Sequence, residues 1–337
     1  MAGSVNTPPN KDIRWEKTTT VNVGVDFALF RHRLSGTIEY YNKYSVDLLA
    51  AINGSPTQGF GYTTLMTNNG KMVNRGVEIT LSGEIIRQKD FSWNASLLYA
   101  FNRNKVKHIS VQPSLWDSRI SMPTSYPMVG KPLYGIYAYK WAGLNENGDP
   151  QVYDAENNVT SGPARDYHAL VYCGTTVPIH NASLTNVLRY KGLEFSAMLI
   201  LDAGHKLRSS NIPSINMSNG RITSTAKGIV DRWTQPGDVT DVPRLLFSND
   251  TENFNTHRTE LYRYSDLFVY DASNIRLSNI SLAYRVPAHW CKKISLSGAR
   301  LQFNVENVAT FAFDSKANYD LGGKVKPNYV WGLYLNF

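Results

Sequence analysis

The chain has 337 residues, 42% of them hydrophobic and 18% charged, so it can bury a core and is not disordered by composition. Lys+Arg 35 against Asp+Glu 27 gives a formal net charge of +8, but the positive residues are scattered along the chain, which argues against a nucleic-acid partner. Two cysteines exclude a disulfide-stapled scaffold and a Cys-rich metal centre, and no run reaches the ~18 apolar residues of a membrane helix.

Period-2 alternation dominates from near the start. Val21, Val23, Val25, Phe27 and Leu29 alternate with Asn22, Gly24, Asp26 and Ala28. From Leu34 to Leu48 one face carries Leu34, Ile38, Tyr40, Tyr44 and Leu48, and the other carries Ser35, Thr37, Glu39, Lys43 and Asp47. That run is far longer than the ~5–6 residues of a usual strand. Val77, Ile79 and Leu81 continue the pattern, followed by Phe91, Trp93, Ala95, Leu97, Tyr99 and Phe101. Further on come Leu193 to Leu201, Ile280 to Tyr284, Leu301 to Val305, and Tyr329 to Phe337. Helical periodicity is confined to the neighbourhood of Thr223 to Trp233. The chain reads as all-β.

The connections sort into two kinds. Those at Phe30 to Arg33, Arg87 to Asp90 and Tyr190 to Gly192 are tight, whereas Ala50 to Lys71, Arg103 to Lys131 and Gly204 to Ala272 are long. Soluble β domains seldom carry several loops of that length. Antiparallel transmembrane β-barrels do, with short periplasmic turns and long extracellular loops, and with aromatic girdles such as Tyr40, Phe91, Trp93, Tyr190 and Trp331 would form. The pattern predicts 10–11 long strands, one of them hidden between Pro132 and Val177. If short turns are periplasmic, the strand at Val21 descends and the chain ends below the membrane, which requires an odd number of crossings. Complete single-chain bacterial barrels have an even number, so the expectation is the C-terminal part of a larger barrel. Residues 1–13 form an extracellular-side segment in this scheme, and residues 14–337 the barrel part.

Several runs then resemble the barrel of SusC/RagA-type TonB-dependent outer-membrane transporters. They include Trp15-Glu16-Lys17-Thr18-Thr19, Asn74-Arg75-Gly76-Val77-Glu78 and Asp90-Phe91-Ser92-Trp93-Asn94. Gly148-Asp149-Pro150, Glu306-Asn307-Val308 and above all Asp271-Ala272-Ser273-Asn274-Ile275-Arg276-Leu277-Ser278-Asn279 extend the resemblance to nearly the whole chain. It implies an importer in the outer membrane of Bacteroidota with about twenty-two strands. It further implies a plug, a SusD-like surface lipoprotein and the TonB-ExbB-ExbD energy system as partners, and an oligosaccharide or peptide substrate. The plug, the TonB box and the N-terminal strands are not recognisable here, so the chain is expected to be inactive alone. A stand-alone passive barrel and a soluble carbohydrate-binding β protein are the rival readings.

The residues offer no catalytic chemistry, and neither a cofactor nor a metal is expected. The seven histidines lack HxxxH or HExxH spacing. Asn145 to Asp149 looks faintly like a calcium loop but lacks the downstream bidentate Glu. Cys173 falls in an outer loop and Cys291 in a periplasmic turn, too far apart to be bridged. Asp26, Glu78, Glu194 and Glu306 sit on polar strand faces, where they line a substrate path or hydrogen-bond a plug. Candidate ligand contacts are the loop aromatics Trp116, Tyr126, Trp233, Phe254, Phe268 and Tyr270, whose ring faces could stack on sugars. The closing pattern Tyr329, Trp331, Leu333, Leu335 and Phe337 is read as a barrel-assembly signal.

Overall fold

A computed structural model describes residues 10–53, 64–111, 118–162, 167–218, 221–222, 226–247, 257–321 and 326–337. Nine strands form one antiparallel sheet in which each strand pairs with its neighbours in chain order. They are β1 (Lys17–Leu29), β2 (Leu34–Asn53), β3 (Thr64–Arg87), β4 (Phe91–His108) and β5 (His180–Tyr190). Then follow β6 (Leu193–Ala203), β7 (Asn274–Arg285), β8 (Gly298–Ala312) and β9 (Asn328–Asn336). The connections at 30–33, 88–90, 191–192 and 286–297 lie at one end of the sheet, and the C-terminal ends of β2, β4, β6 and β8, where the longer connections begin, lie at the other.

Among the described residues the wall has nine strands, against the ten or eleven that the alternation predicts. Between Pro132 and Val177 the described residues give no wall strand: Gly135–Tyr139 pairs with Leu170–Thr175, and Trp141–Leu144, Pro150–Tyr153 and Val159–Thr160 form a small sheet of their own. The reason is burial. Every residue of Gly135–Tyr139 is buried, so this strand sits inside a globular core and has no face to present to lipid.

The register explains why the alternation is so persistent. Val25, Ile38, Ile79, Tyr99, Ala182, Leu201, Ile275 and Phe311 stand side by side across eight strands. The same face carries Phe91, Tyr190, Leu193, Tyr284, Leu301 and Leu333 in one row near the short turns, with Trp93, Leu188, Phe195, Leu282, Phe303 and Trp331 in the next. Many of these side chains are exposed, Trp331 by 78%. An apolar face left open in this way is matched to hydrocarbon. The opposite face is more polar, with Leu98 and Ile200 among its apolar members. A hollow of about 440 Å³ is lined there by Ser35, Ser82, Ser96 and Thr185, and another of about 300 Å³ by Glu78, Thr80, Ser183 and Asp202.

The conventional core lies elsewhere. Two clusters of buried side chains, Tyr137, Tyr139, Val152, Ala169, Leu170 and Leu261 in one and Ile215, Tyr262 and Phe268 in the other, belong to the long connections. These connections therefore pack into a cap over one end of the sheet. Residues 10–16 also bind that end: Asn10 donates to the Met66 carbonyl (2.8 Å), Arg14 N–H to Asn68 Oδ1 (2.6 Å), and Glu16 Oε1 accepts from Leu49 N–H (2.8 Å).

Candidate ligand-facing surface

The cap is organised around Arg258, on the short helix Arg258–Arg263 and only 1% exposed. Its Nε donates to Asp149 Oδ1 (3.2 Å), Nη1 to the Ile215 carbonyl (2.9 Å) and Asn216 Oδ1 (2.8 Å), and Nη2 to the Arg244 carbonyl (2.7 Å). Arg244 grips the same carboxylate with both Nε (3.1 Å) and Nη2 (2.8 Å). One carboxylate thus ties three segments far apart in sequence, and burial is offset by filling the donors' directions with acceptors. Burial works against the charge on Arg258 and draws its pKa down, an effect that Asp149 opposes.

Asp149 closes the Asn145 to Asp149 turn. Asn145 Oδ1 accepts from Asn147 N–H and Asp149 N–H (2.9 Å each), and the Asp149 carboxylate is held by the two arginines. Asn145 Oδ1 and the Asp149 carboxylate, which a calcium loop would turn inward, are committed to protein donors. Among the described residues no group of His, Cys, Asp and Glu could hold a metal ion.

A second arginine, Arg208, ties segments of the cap together. Its Nη2 donates to the Tyr137 carbonyl (2.7 Å) and Nη1 to the carbonyls of Ser265 (3.2 Å) and Arg263 (3.3 Å). Nearby, Asp320 accepts from Ser209 Oγ (2.7 Å), Ser210 Oγ (2.7 Å) and Ser210 N–H (3.0 Å). At the junction between β6 and the cap, Lys206 pairs with Asp271 (2.9 Å). Burial there favours the neutral acid, yet the Ser273 donors and Lys206 outweigh it and hold the Asp271 carboxyl at about 2. His205, beside them, is buried with an Nδ1 that finds no partner among the described residues. Burial lowers its pKa, against the pull of Asp202 and Asp271.

The candidate aromatics occupy different surroundings. Phe268 is buried and meets Tyr262 edge-on, with 4.9 Å between ring centroids. Trp233 is half-buried and lies over Gly148, where a Cβ would come within 2.4 Å of its indole. Tyr270 is half-buried on the short strand Val269–Asp271, with Lys316 Nζ 5.9 Å from its ring centroid. Tyr126 is half-buried on a separate segment, its carbonyl accepting from Arg119 Nε (3.3 Å); the adjacent Ser125 and Pro127 line a hollow of about 430 Å³ over β2 and β3. Trp116 and Phe254 lie outside the described residues. Trp141, which stands outside the loop aromatics that the sequence singles out, belongs with them in the cap. It bridges the two cap clusters, packs on Tyr262 (5.9 Å) and donates from Nε1 to Asp241 (2.9 Å).

Cys173 lies in the cap and Cys291 on the helix Ala288–Lys292 at the short-turn end, so the two are at opposite ends of the sheet, and both are free. Burial, with Asp266 adding to it, pushes the Cys173 thiol up to about 11, which keeps it protonated and poorly nucleophilic at neutral pH. On β9, Tyr329, Trp331, Leu333 and Leu335 stand beside Val305, Phe303, Leu301 and Ala299 of β8. The Trp331 and Phe303 ring centroids are 4.2 Å apart, and Phe337 is 91% exposed.

Comparison with known proteins agrees with this geometry. A family described as TonB dependent receptor-like, beta-barrel matches residues 1–308. TonB-dependent receptor P3 of Formosa agariphila is 25% identical, the alignment covering 96% of this chain and 33% of that protein. TonB-dependent receptor SusC of Bacteroides thetaiotaomicron is also 25% identical, over 88% of this chain and 29% of that protein. A chain in the structure of the RagAB peptide transporter superposes with a TM-score of 0.75 at 22% identity, covering 99% of this chain and 37% of that one. The chain thus spans about a third of the length of these relatives. Nine long strands with one apolar and one polar face, a cap built from the connections at one end, and a family match over most of the sequence lead to one conclusion: the chain belongs to the TonB-dependent receptor-like β-barrel family.

Proposed function

We propose that the chain is a wall segment, with its ligand-facing cap, of an outer-membrane nutrient importer, and that it does not transport alone. The observation that carries this reading is the division of the sheet. Apolar rows cover one face, polar hollows the other, and the long connections fold into their own core at one end. In this reading residues 1–13 lie on the extracellular side and residues 14–337 form barrel. The polar face borders the passage, and the cap meets an oligosaccharide or peptide and a SusD-like lipoprotein. Energy enters from TonB-ExbB-ExbD through parts of the whole transporter other than this chain. Trp233 and Tyr270, each with part of its ring uncovered, are the better-placed ligand contacts, while Tyr329, Trp331, Leu333, Leu335 and Phe337 serve barrel assembly. Nothing in the proposal requires enzymatic chemistry.

Both edges of the sheet lack a neighbouring strand among the described residues, which favours completion by further strands over a small closed pore. The test is affinity purification of the tagged protein from fractionated cells of its own host. The expected result is recovery in the outer membrane together with a surface lipoprotein. Recovery in the soluble fraction, or from the outer membrane with no lipoprotein, would overturn the importer reading.

A further inference from the structure

Toward the capped end of its lipid-directed face, the character of β4 changes abruptly. Tyr99 and Phe101 are followed on the same face by Arg103 and Lys105, roughly 7 and 13 Å further along the strand at about 3.3 Å per residue. Neighbouring strands place Arg75 beside Arg103, and Val73 and Tyr44 in the row of Lys105. At this height β5 no longer flanks β4. The segment at Gly130 takes over, with hydrogen bonds of 2.9 Å from Gly130 N–H to the Val106 carbonyl and from Val106 N–H to the Lys131 carbonyl. Lys131 is thereby brought to the same place, its Nζ 4.7 Å from the centre of the Tyr172 ring.

The gap left between β4 and the segment before β5 is a hollow of about 340 Å³. Arg103, Lys105 and Lys131 line it together with Asn102, Asn104 and Tyr172, and no acidic side chain does. None of the ion pairs among the described residues involves these three cations. By contrast, Arg244 and Arg258 in the cap share a carboxylate. Three cationic side chains that line one hollow with no ion pair among the described residues, beside a partly apolar wall, are complementary to a multiply charged anion.

The geometry points to this hollow as a seat for the phosphate group of an outer-leaflet lipid head group, held by Arg103, Lys105 and Lys131. The lipid is preferred over a dissolved anion because the cations continue the face that carries the apolar rows and stand level with Tyr44 near its capped end, where aromatic and cationic side chains together mark the head-group height. The inference rests on the outer-membrane reading above.

The test uses the whole purified protein in phosphatidylcholine nanodiscs doped either with diphosphorylated lipid A or with its dephosphorylated form, bound lipid being counted by native mass spectrometry. Each cation near an anionic surface is worth about fivefold, so the triple variant Arg103→Gln, Lys105→Gln, Lys131→Gln is expected to bind the phosphorylated lipid about a hundredfold more weakly. Raised salt should weaken the wild type in the same direction. Lys191→Gln at the opposite end serves as a control with no expected effect. Retention of heat-modifiable migration in gels shows that the variant wall is intact, and the single variant Lys131→Gln, with about fivefold loss, stands in if the triple variant fails to fold. Equal binding by triple variant and wild type, or equal binding of both lipid forms, would overturn the proposal. So would competition by millimolar inorganic phosphate that displaces the lipid completely, since the site would then belong to a free anion. If the protein is absent from outer membranes in the host, it is the localisation reading that fails.

Discussion

Arg258 holds more of the cap together than any apolar side chain of comparable size, because its donors reach Asp149, Asn216 and two backbone carbonyls at once. Replacing it with Met keeps volume but strands those acceptors, and such a loss costs about 3–5 kcal/mol. Hydrogen exchange should show the cap amides around Ile215 and Arg244 losing protection while the wall keeps its own; unchanged cap protection would refute this role. Gly148 makes a second, smaller test. Its φ of +73° and its contact with Trp233 leave no room for a Cβ, so Gly148→Ala should destabilise the turn by about 2 kcal/mol and shift the Trp233 fluorescence toward a wetter environment. An unshifted spectrum would mean that the turn relaxes around the methyl. The run Gly148-Asp149-Pro150 stands out in the sequence, but nothing there marks Arg258 or the ring over Gly148. An arginine reads as surface, and Phe268 and Trp233 read alike as loop aromatics, although one ring is enclosed by Tyr262 and the other covers a glycine.

At the level of the strand, much was legible, because lipid on one side and a polar passage on the other impose a strict period of two. It fails where a bulge inserts a residue. In β7 the pairing with β6 and β8 skips Ser278, so Ile275 and Leu277 on one side of it share a face with Ile280, Leu282 and Tyr284 on the other. Odd numbers give way to even ones, and a reader following one parity loses the strand there. Left-handed Asp47 in β2 and Asn307 in β8 accompany similar slips. The same alternation gives a direct prediction on β5. Leu184 stands between Leu97 and Leu199 on the apolar face, whereas Thr185 stands between Ser96 and Met198 on the other. Leu184→Lys should cost about 2–4 kcal/mol of insertion energy, with Thr185→Lys near neutral. The readout is the fraction of heat-modifiable, membrane-inserted protein in gels. Equal losses from the two variants would contradict the assignment of faces.

For the molecule as a whole, acid is expected to loosen the cap before the wall. His205 has a pKa below its ordinary value, so protonation favours opening: its penalty is absent above about pH 6.5 and grows as pH falls below that. Asp271, held at about 2, contributes stability that is complete above about pH 4 and is lost as pH falls toward 2; being partly exposed, it contributes little once screened by water and salt. Limited proteolysis of the cap should therefore speed up between about pH 7.5 and about pH 5, and His205→Gln should flatten that rise. A flat wild-type profile, or an equally steep one in His205→Gln, would remove His205 from the account. The cap is also where whole-chain reading from sequence fell short. Its strands are only two to six residues long, Gly135–Tyr139 is buried on both sides and carries no alternation, and key partners lie far away in sequence, as Arg244 and Arg258 do from Asp149. The sheet's two free edges follow from the same antiparallel order. With nine strands alternating in direction, β1 and β9 run the same way, both from the capped end toward the short turns. Such edges cannot zip to one another, or to the matching edge of a copy laid alongside in the same orientation, in an antiparallel ladder. A partner for either edge has to climb toward the cap, so an insert that bridges the two begins and ends on climbing strands and contributes an odd number of them. A strand that completes either edge is thereby selected by direction.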